Sequence, residues 1–507
     1  MKSLSLLVLL ALPGFSQTAS TQPPAPAKPE AAKPEAAKPE AAKPEAAKPA
    51  PGKLTISGSF RTRQEFWGWF RGEGDADYSF SGNIFRLAIG QNRKSIEWQT
   101  ELAAPFLLGL PDKAIAPAPQ LQLGLGGNYY AGNKSSTNAG MVFPKQGWIR
   151  VKNLFGDANQ NIKLGRFEFN DASEFTPKNT DLAFLRRDRM MQRLIGTFGW
   201  THVGRSFDGL HYTANRKGIN YTFVGAMPTR GVFQTDGWGN LHVGLGYLAA
   251  NGQWNGKQSA IDWRGFGIYY QDWRHVLKTD SRPLALRQRD FNNIRVMSFG
   301  GHLLATRQTA AGPVDALGWV VTQFGQWGRI DHQGWSTVAE AGWQPKVLPR
   351  LRPWLRAGLS MSSGDDDPLD GTHKTYFQIL PTPRPYARFP FYDMVNNDDF
   401  NAILILRPAK TVTLRTEAHA LRLANRRDLW YLGGGAFQPW SFGYIGRNTS
   451  GERSLANLYD ISADWAPNAS WAVTAYFGYA DGKGAMRKIY PKGPDGRFGY
   501  LELTYKF

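Results

Sequence analysis

From Leu54 onward, apolar and polar side chains alternate with a period of two. Leu54, Ile56, Gly58 and Phe60 fall on one face, while Ser57, Ser59, Arg61, Arg63 and Glu65 fall on the other. The same alternation sets Phe85, Leu87 and Ile89 against Arg86, and Leu355, Ala357, Leu359 and Met361 against Arg356. Val412, Leu414, Ala418 and Ala420 oppose Arg415, Glu417 and His419, and Trp471, Val473, Phe477 and Tyr479 oppose Thr474 and Tyr476. This period predicts strands, because successive side chains of an extended chain point to opposite faces. A soluble sandwich and a membrane barrel share the pattern, so it leaves the two open.

The punctuation between strands separates them. Aromatic residues gather where strands are expected to end, as in Phe66-Trp67-Gly68-Trp69-Phe70, Tyr129-Tyr130, Tyr269-Tyr270 and Trp430-Tyr431. Gly109 to Thr137, Gln271 to Arg295 and Ser362 to Asp399 read as long polar loops, and Lys152 to Gln160 as a short turn. Aromatic girdles and loops long on one side only are expected of outer-membrane barrels. The chain ends Gly499-Tyr500-Leu501-Glu502-Leu503-Thr504-Tyr505-Lys506-Phe507, with Leu501, Leu503, Tyr505 and Phe507 on one face. That ending is similar to the terminal strand recognised by the barrel assembly machinery, an expected partner.

The amino terminus reads as an address. Lys2 precedes an apolar run from Leu4 to Leu12, followed by small residues around Ser16 and Ala19, as in a secretory signal peptide over residues 1–20. Residues 21–52 repeat Lys-Pro-Glu-Ala-Ala from Lys28 to Pro49. Proline in every repeat removes helical hydrogen bonds, and there is almost no apolar side chain larger than alanine to bury, so an extended spacer is expected. It is a passive linker or a contact to the periplasm or cell wall. The barrel then occupies residues 53–507.

Composition agrees. The 507 residues would ordinarily divide into several soluble domains, yet 13% are aromatic, 55 are Gly and none is Cys. Absent cysteine excludes disulfides, thiolate metal sites and a cysteine nucleophile. Beyond the leader no apolar run is long enough for a membrane helix, and mean hydropathy is −0.41, as when only alternate residues face lipid. Net charge is +19; setting aside Lys2 and the single excess Lys of the repeat leaves +17 on the barrel. Such a bias suits an anionic partner, and export excludes nucleic acid.

Several stretches resemble the alginate export porin family. They are Leu164-Gly165-Arg166-Phe167-Glu168 with Gly204-Arg205-Ser206-Phe207-Asp208-Gly209; Ser363-Gly364-Asp365-Asp366-Asp367-Pro368 running to Leu380-Pro381-Thr382-Pro383-Arg384-Pro385-Tyr386-Ala387-Arg388-Phe389-Pro390; and Leu421-Arg422-Leu423-Ala424-Asn425 with Asp428-Leu429-Trp430-Tyr431. The resemblance covers roughly Leu54 to Phe507. It implies an all-β transmembrane antiparallel barrel of about 18 strands in the outer membrane, monomeric, with basic residues lining the lumen. By motif, Arg86, Lys145, Arg384 and Arg388 fall on those lining positions. Simple alternation through Trp148 and Lys152 favours Arg150 over Lys145, and both are retained. Arg61, Arg63, Arg166, Arg356 and Arg415 complete the expected substrate path. At Glu168 the chain departs from the family pattern, which leads one to expect a basic residue.

The chemistry behind such a lining is general. A polyuronate carries about one carboxylate per sugar, and guanidinium binds carboxylate through charge-assisted, often bidentate hydrogen bonds. Conduction further requires many weak sites. The same arginines also suit a ladder of ion pairs within the wall. No G-x-S-x-G or H-E-x-x-H occurs, so an enzyme is not expected, nor a cofactor or bound metal. Asp365-Asp366-Asp367 with Asp370 offers oxygens to calcium but lacks the EF-hand spacing, and reads as a solvated acidic loop. Arg186-Arg187-Asp188-Arg189 reads as a solvated loop or a loop–wall ion pair. The expected function is passage of an anionic polysaccharide during secretion; the alternatives are an anion-selective diffusion porin, and a structural barrel tethered through the spacer. Outer-membrane lipid or lipopolysaccharide is the remaining expected partner.

Overall fold

Alternating side chains commit the chain to strands, and the backbone groups of those strands must all be paired where lipid replaces water. The structure, a computed structural model, describes residues 52–383 and 386–507. The leader, nearly all of the repeat and Arg384 lie outside the described residues.

Among the described residues, eighteen antiparallel strands close into a barrel. We number them β1 (Leu54–Gly68), β2 (Asp77–Asn92), β3 (Ile96–Leu108), β4 (Phe143–Lys152), β5 (Gln160–Phe167), β6 (Phe207–Arg216), β7 (Ile219–Pro228), β8 (Val243–Asn255) and β9 (Ser259–Asp272). They continue as β10 (Ile294–Arg307), β11 (Val314–Trp327), β12 (Ile330–Trp343), β13 (Trp354–Ser362), β14 (Asn397–Ala409), β15 (Val412–Leu423), β16 (Ser454–Trp465), β17 (Trp471–Gly482) and β18 (Gly496–Lys506). Each pairs with its neighbour, and β1 closes on β18 from Ser59↔Lys506 to Gly68↔Arg497. Closure leaves no edge strand to aggregate.

The terminal aromatic completes the seam. Phe507 and Gly58 exchange backbone hydrogen bonds at 3.0 Å each. A Cβ at Gly58 would overlap the Phe507 ring, so glycine leaves the slot that the last side chain fills.

The two faces separate as the alternation predicts. Leu54, Ile56, Phe66, Phe85, Leu355, Leu414 and Phe477 are exposed on the outer face, whereas Arg63, Glu65, Arg356, Glu417 and His419 are buried on the inner one. Short turns join β2 to β3, β6 to β7 and β14 to β15 at the end that carries both Leu54 and Phe507. Long connections leave from the other end, and the longest, 168–206, links β5 to β6.

The aromatic girdle needs correction. Phe66 and Tyr269 face outward, but Trp67, Trp69, Phe70, Tyr270, Trp430 and Tyr431 are buried, and Tyr129 sits on a short helix (Gly124–Gly132) inside the long-loop end. The long connections fold inward and carry their own apolar core, in which Phe389 stacks against Phe70 with ring centroids 6.3 Å apart. Most of these aromatic residues therefore belong to this inner core and not to the bilayer interface.

Candidate functional site

The inner face of β1 presents Arg61, Arg63 and Glu65 in alternation, and β18 brings Glu502 beside them. Arg63 donates from Nε to Glu502 at 2.8 Å, and its guanidinium lies 4.8 Å from the Trp200 ring and 4.9 Å from the Tyr500 ring. Arg61 approaches the same carboxylate at 3.7 Å and donates to the Gly199 carbonyl at 2.8 Å. On β2, Arg86 meets Glu101 and donates to Glu168 at 3.0 Å.

Lys145 and Arg150 both face inward, and a bulge explains how. The β3–β4 register slips between Glu101 and Leu102, which pair with Gln146 and Pro144 and leave Lys145 as the extra residue. A bulge re-aims the side chain of its extra residue at the cost of a local bend in the strand. Lys145 Nζ donates to the carbonyls of Val203 and Arg205 at 3.2 and 3.1 Å, and lies 3.6 Å from Glu168. Arg150 donates to Glu97 at 2.8 Å.

A second group continues along the wall. Arg388 donates to Ser462 Oγ at 2.5 Å with its guanidinium 5.7 Å from the Tyr476 ring. Arg415 makes a two-pronged contact to Asp188, 2.9 Å at each oxygen, and also meets Glu417. Arg356 joins Asp315 and donates to Glu340 at 3.0 Å.

Arg166 departs from the expected lining. It shares strand parity with Leu164, which is exposed on the outer face, and lies opposite Gly147 and Asp208. There it donates to both Asp208 oxygens, at 2.6 and 2.7 Å, and to the Trp238 carbonyl at 2.9 Å. Period two, applied to Lys163 over Trp148 at 4.5 Å, places Lys163 inward and Arg166 outward.

Exposure sorts the remaining cations. The Arg63, Lys145 and Arg356 side chains are 1–2% exposed and serve as wall and insert ties, whereas Arg86 and Arg150 reach 28% and 29%. Among the described residues Arg388 has no carboxylate at ion-pair distance, and neither does Lys163, whose ammonium lies over the Trp148 ring.

The 168–206 insert was the part least visible in the sequence. Arg186 donates to Asp262 on β9 at 2.9 Å, Arg189 to Glu340 on β12 at 2.7 Å, and His202 lies 3.0 Å from Glu65 on β1. With Asp188 held by β15, one segment touches four distant staves of a closed barrel and so crosses its interior. The Arg186–Arg189 cluster is thus a loop–wall ion pair network. Its signal was the arginine density; the partners lie 76 and 151 residues away in sequence.

Metal chemistry finds little footing. Among the described residues Glu417, His419 and Asp460 converge, with ligand atoms within 4.8 Å. Yet His419 turns Nδ1 to Asp399 at 3.0 Å and Nε2 to Glu417 at 3.2 Å, so both ring nitrogens are engaged in the wall. At the acidic loop Lys374 Nζ sits 2.7 Å from both Asp366 and Asp370, where a cation would bind.

The sequence profile of a family described as alginate export matches residues 145–481. None of the curated proteins matches. Among solved structures, the outer membrane protein OpdK of Pseudomonas aeruginosa is 9% identical with a TM-score of 0.51, over 89% of this chain and 99% of that one. OccAB2 of Acinetobacter baumannii gives 8% and 0.54, over 90% and 98%. OccK2 (OpdF) of Pseudomonas aeruginosa, in complex with glucuronate, gives 10% and 0.51, over 90% and 96%. At these identities the likeness is one of fold, that of outer-membrane porins.

Proposed function

This chain belongs to the alginate export family, and from that premise we propose that it passes an anionic polyuronate outward through a basic inner wall. The observation that carries the reading is the arc formed by Arg86, Arg61, Arg388 and Arg415, with buried Arg63 as the wall tie beside Arg61. Within it Arg388 keeps its guanidinium free of carboxylate beside Tyr476 and Ser462. A guanidinium next to an aromatic face and a hydroxyl suits a sugar carboxylate, with the ring edge against the aromatic. The neighbouring acids Glu168, Glu502 and Asp188 weaken each station, which transit requires. Arg384, outside the described residues, is retained as part of this proposed path. Planar-bilayer conductance with polymannuronate on one side tests it. Voltage-dependent block by the polyuronate but not by a neutral polymer of equal length is expected; equal block by both counts against it.

A second reading, an anion-selective porin for small solutes, draws support from the insert that crosses the lumen. OccK2, of the same fold, was solved in complex with glucuronate. Block by monomeric uronate as strong as block by the polymer would favour this alternative.

A further inference from the structure

On strands β14 to β17 the outer surface carries a basic groove where the apolar belt meets the long-loop end. Phe400 and Ala420 face outward there, and the Arg422 guanidinium lies 4.9 Å from the Phe400 ring. Arg422 and Arg453 both donate to one oxygen of buried Asp398, at 3.1 and 3.2 Å. A single carboxylate oxygen shared by two guanidiniums leaves most of their donors unsatisfied, and the two side chains are 41% and 48% exposed. Lys483 follows β17, paired with Asp481 at 2.5 Å. The adjoining short helix (Gly484–Ile489) exposes Arg487 and Lys488, which have no ion pair among the described residues.

The groove has a volume of about 440 Å³ and is bounded by Phe400, Ala420, Arg422, Asn457, Lys483 and Arg487. Glu452 is the acid in its lining, against Arg422, Lys483 and Arg487; Arg453 and Lys488 add positive charge beside it, and Asp398 and Asp481 are each engaged by these cations. Below it, exposed Tyr459 and Ile461 continue the hydrocarbon-facing wall.

We propose that this groove binds the phosphate of a phosphorylated glycolipid of the outer leaflet, whose acyl chains lie along Phe400, Tyr459 and Ile461. Three features select this occupant. The cations stand at the long-loop end, which faces outside in barrels of this kind. Guanidinium matches phosphate geometry in a two-pronged contact. The groove opens onto the lipid-facing wall, so its ligand carries hydrocarbon as well as charge. Nothing in this proposal depends on what passes through the lumen.

The test is native mass spectrometry of the full barrel in detergent with three probes: a bisphosphorylated diglucosamine lipid, its dephosphorylated form, and inorganic phosphate. The phosphorylated lipid is expected to bind more tightly than the dephosphorylated one by on the order of tenfold, and Lys483→Glu with Arg487→Glu to weaken it by a similar factor. Inorganic phosphate at equal concentration should not displace it. Equal binding of the dephosphorylated lipid, unchanged binding by the double variant, or displacement by free phosphate would each overturn the proposal. Should the double variant lose heat-modifiable migration, Arg487→Gln with Lys488→Gln, both at exposed positions, makes the same comparison.

Discussion

Arg86 on β2 donates from Nη2 to Glu168 at 3.0 Å, so the acid that departs from the family pattern clamps one of the pattern's own arginines. The other Glu168 oxygen lies 3.6 Å from Lys145, and the carboxylate is 26% exposed. At an effective dielectric near 20, unit charges ~4 Å apart interact by about 4 kcal/mol, so one such acid strongly tempers the local field. Glu168→Gln should therefore move the zero-current potential in a salt gradient further toward anion selectivity and deepen polyuronate block. A shift toward cation selectivity would contradict this assignment.

Arg388 and Arg63 should respond differently to truncation. Arg388→Ala removes a cation with no carboxylate partner among the described residues, and is expected to weaken polyuronate block about tenfold, one charge-assisted hydrogen bond, with stability nearly unchanged. Arg63→Ala leaves Glu65 and Glu502 facing a buried gap and should destabilise by ~3–5 kcal/mol. Arg86→Glu combined with Arg388→Glu should carry the reversal potential toward cation selectivity. Bilayer recordings beside urea unfolding curves separate the two residues; equal loss of stability in Arg388→Ala would make it a wall tie.

His202 sets a pH limit on the insert. Burial pushes its imidazole down from 6.5 to about 4; the Arg63 and Arg61 charges add to this and the hydrogen bond to Glu65 opposes it. The neutral ring is the form that fits, packed near Phe80 and Tyr129. Because the folded value lies below the unfolded one, its contribution is complete above pH 6.5 and is lost as pH falls through about 4. Hydrogen exchange of residues 198–206 should be slow at pH 7 and accelerate on acidification, once corrected for intrinsic rates. His202→Gln, which cannot take the proton, should flatten that dependence.

The seam offers a simpler test. Gly58→Leu places a side chain where the Phe507 ring lies and should reduce assembled barrel in the membrane as much as deletion of Phe507 does. Normal heat-modifiable yield of Gly58→Leu would show that the terminal ring packs elsewhere.

Strand identity and facing were legible because lipid on one side and polar groups on the other force a strict period of two. Arg61, Arg63, Arg86, Arg356 and Arg415 could be placed inward on that basis alone. Lys145 needed a bulge, a one-residue slip that no alternation reveals. Arg166 shares the parity of outward-facing Leu164, so alternation along β5 sets it apart from these arginines. The inner core stayed hidden for a related reason: Trp67 and Phe389 carry no period that distinguishes a lumen-filling loop from an interfacial girdle. Its anchors, such as Arg189 to Glu340, join residues 151 apart in sequence.

That anchor gives the sharpest test of whether the insert gates the lumen. Glu340 accepts from Arg189 at 2.7 Å through one oxygen and from Arg356 at 3.0 Å through the other, all three side chains being 1–2% exposed. Removing the carboxylate breaks a buried ion-pair network that joins the insert to the wall, at a cost of ~3–5 kcal/mol. Arg356 retains Asp315. The Arg189–Glu340 contact ties the insert to β12, whereas the barrel itself is held by a closed ladder of backbone hydrogen bonds. Loss of this link therefore loosens the insert before it disturbs the barrel. Glu340→Ala should raise single-channel conductance and admit protease cleavage between 168 and 206, while heat-modifiable migration persists. Replacing Arg189 by Leu together with Glu340→Leu should restore much of the packing, because an apolar pair fills the site without an orphaned charge. Unchanged conductance with a protease-resistant insert would mean that the remaining ties, Arg186 to Asp262 and Asp188 to Arg415, hold it without this one.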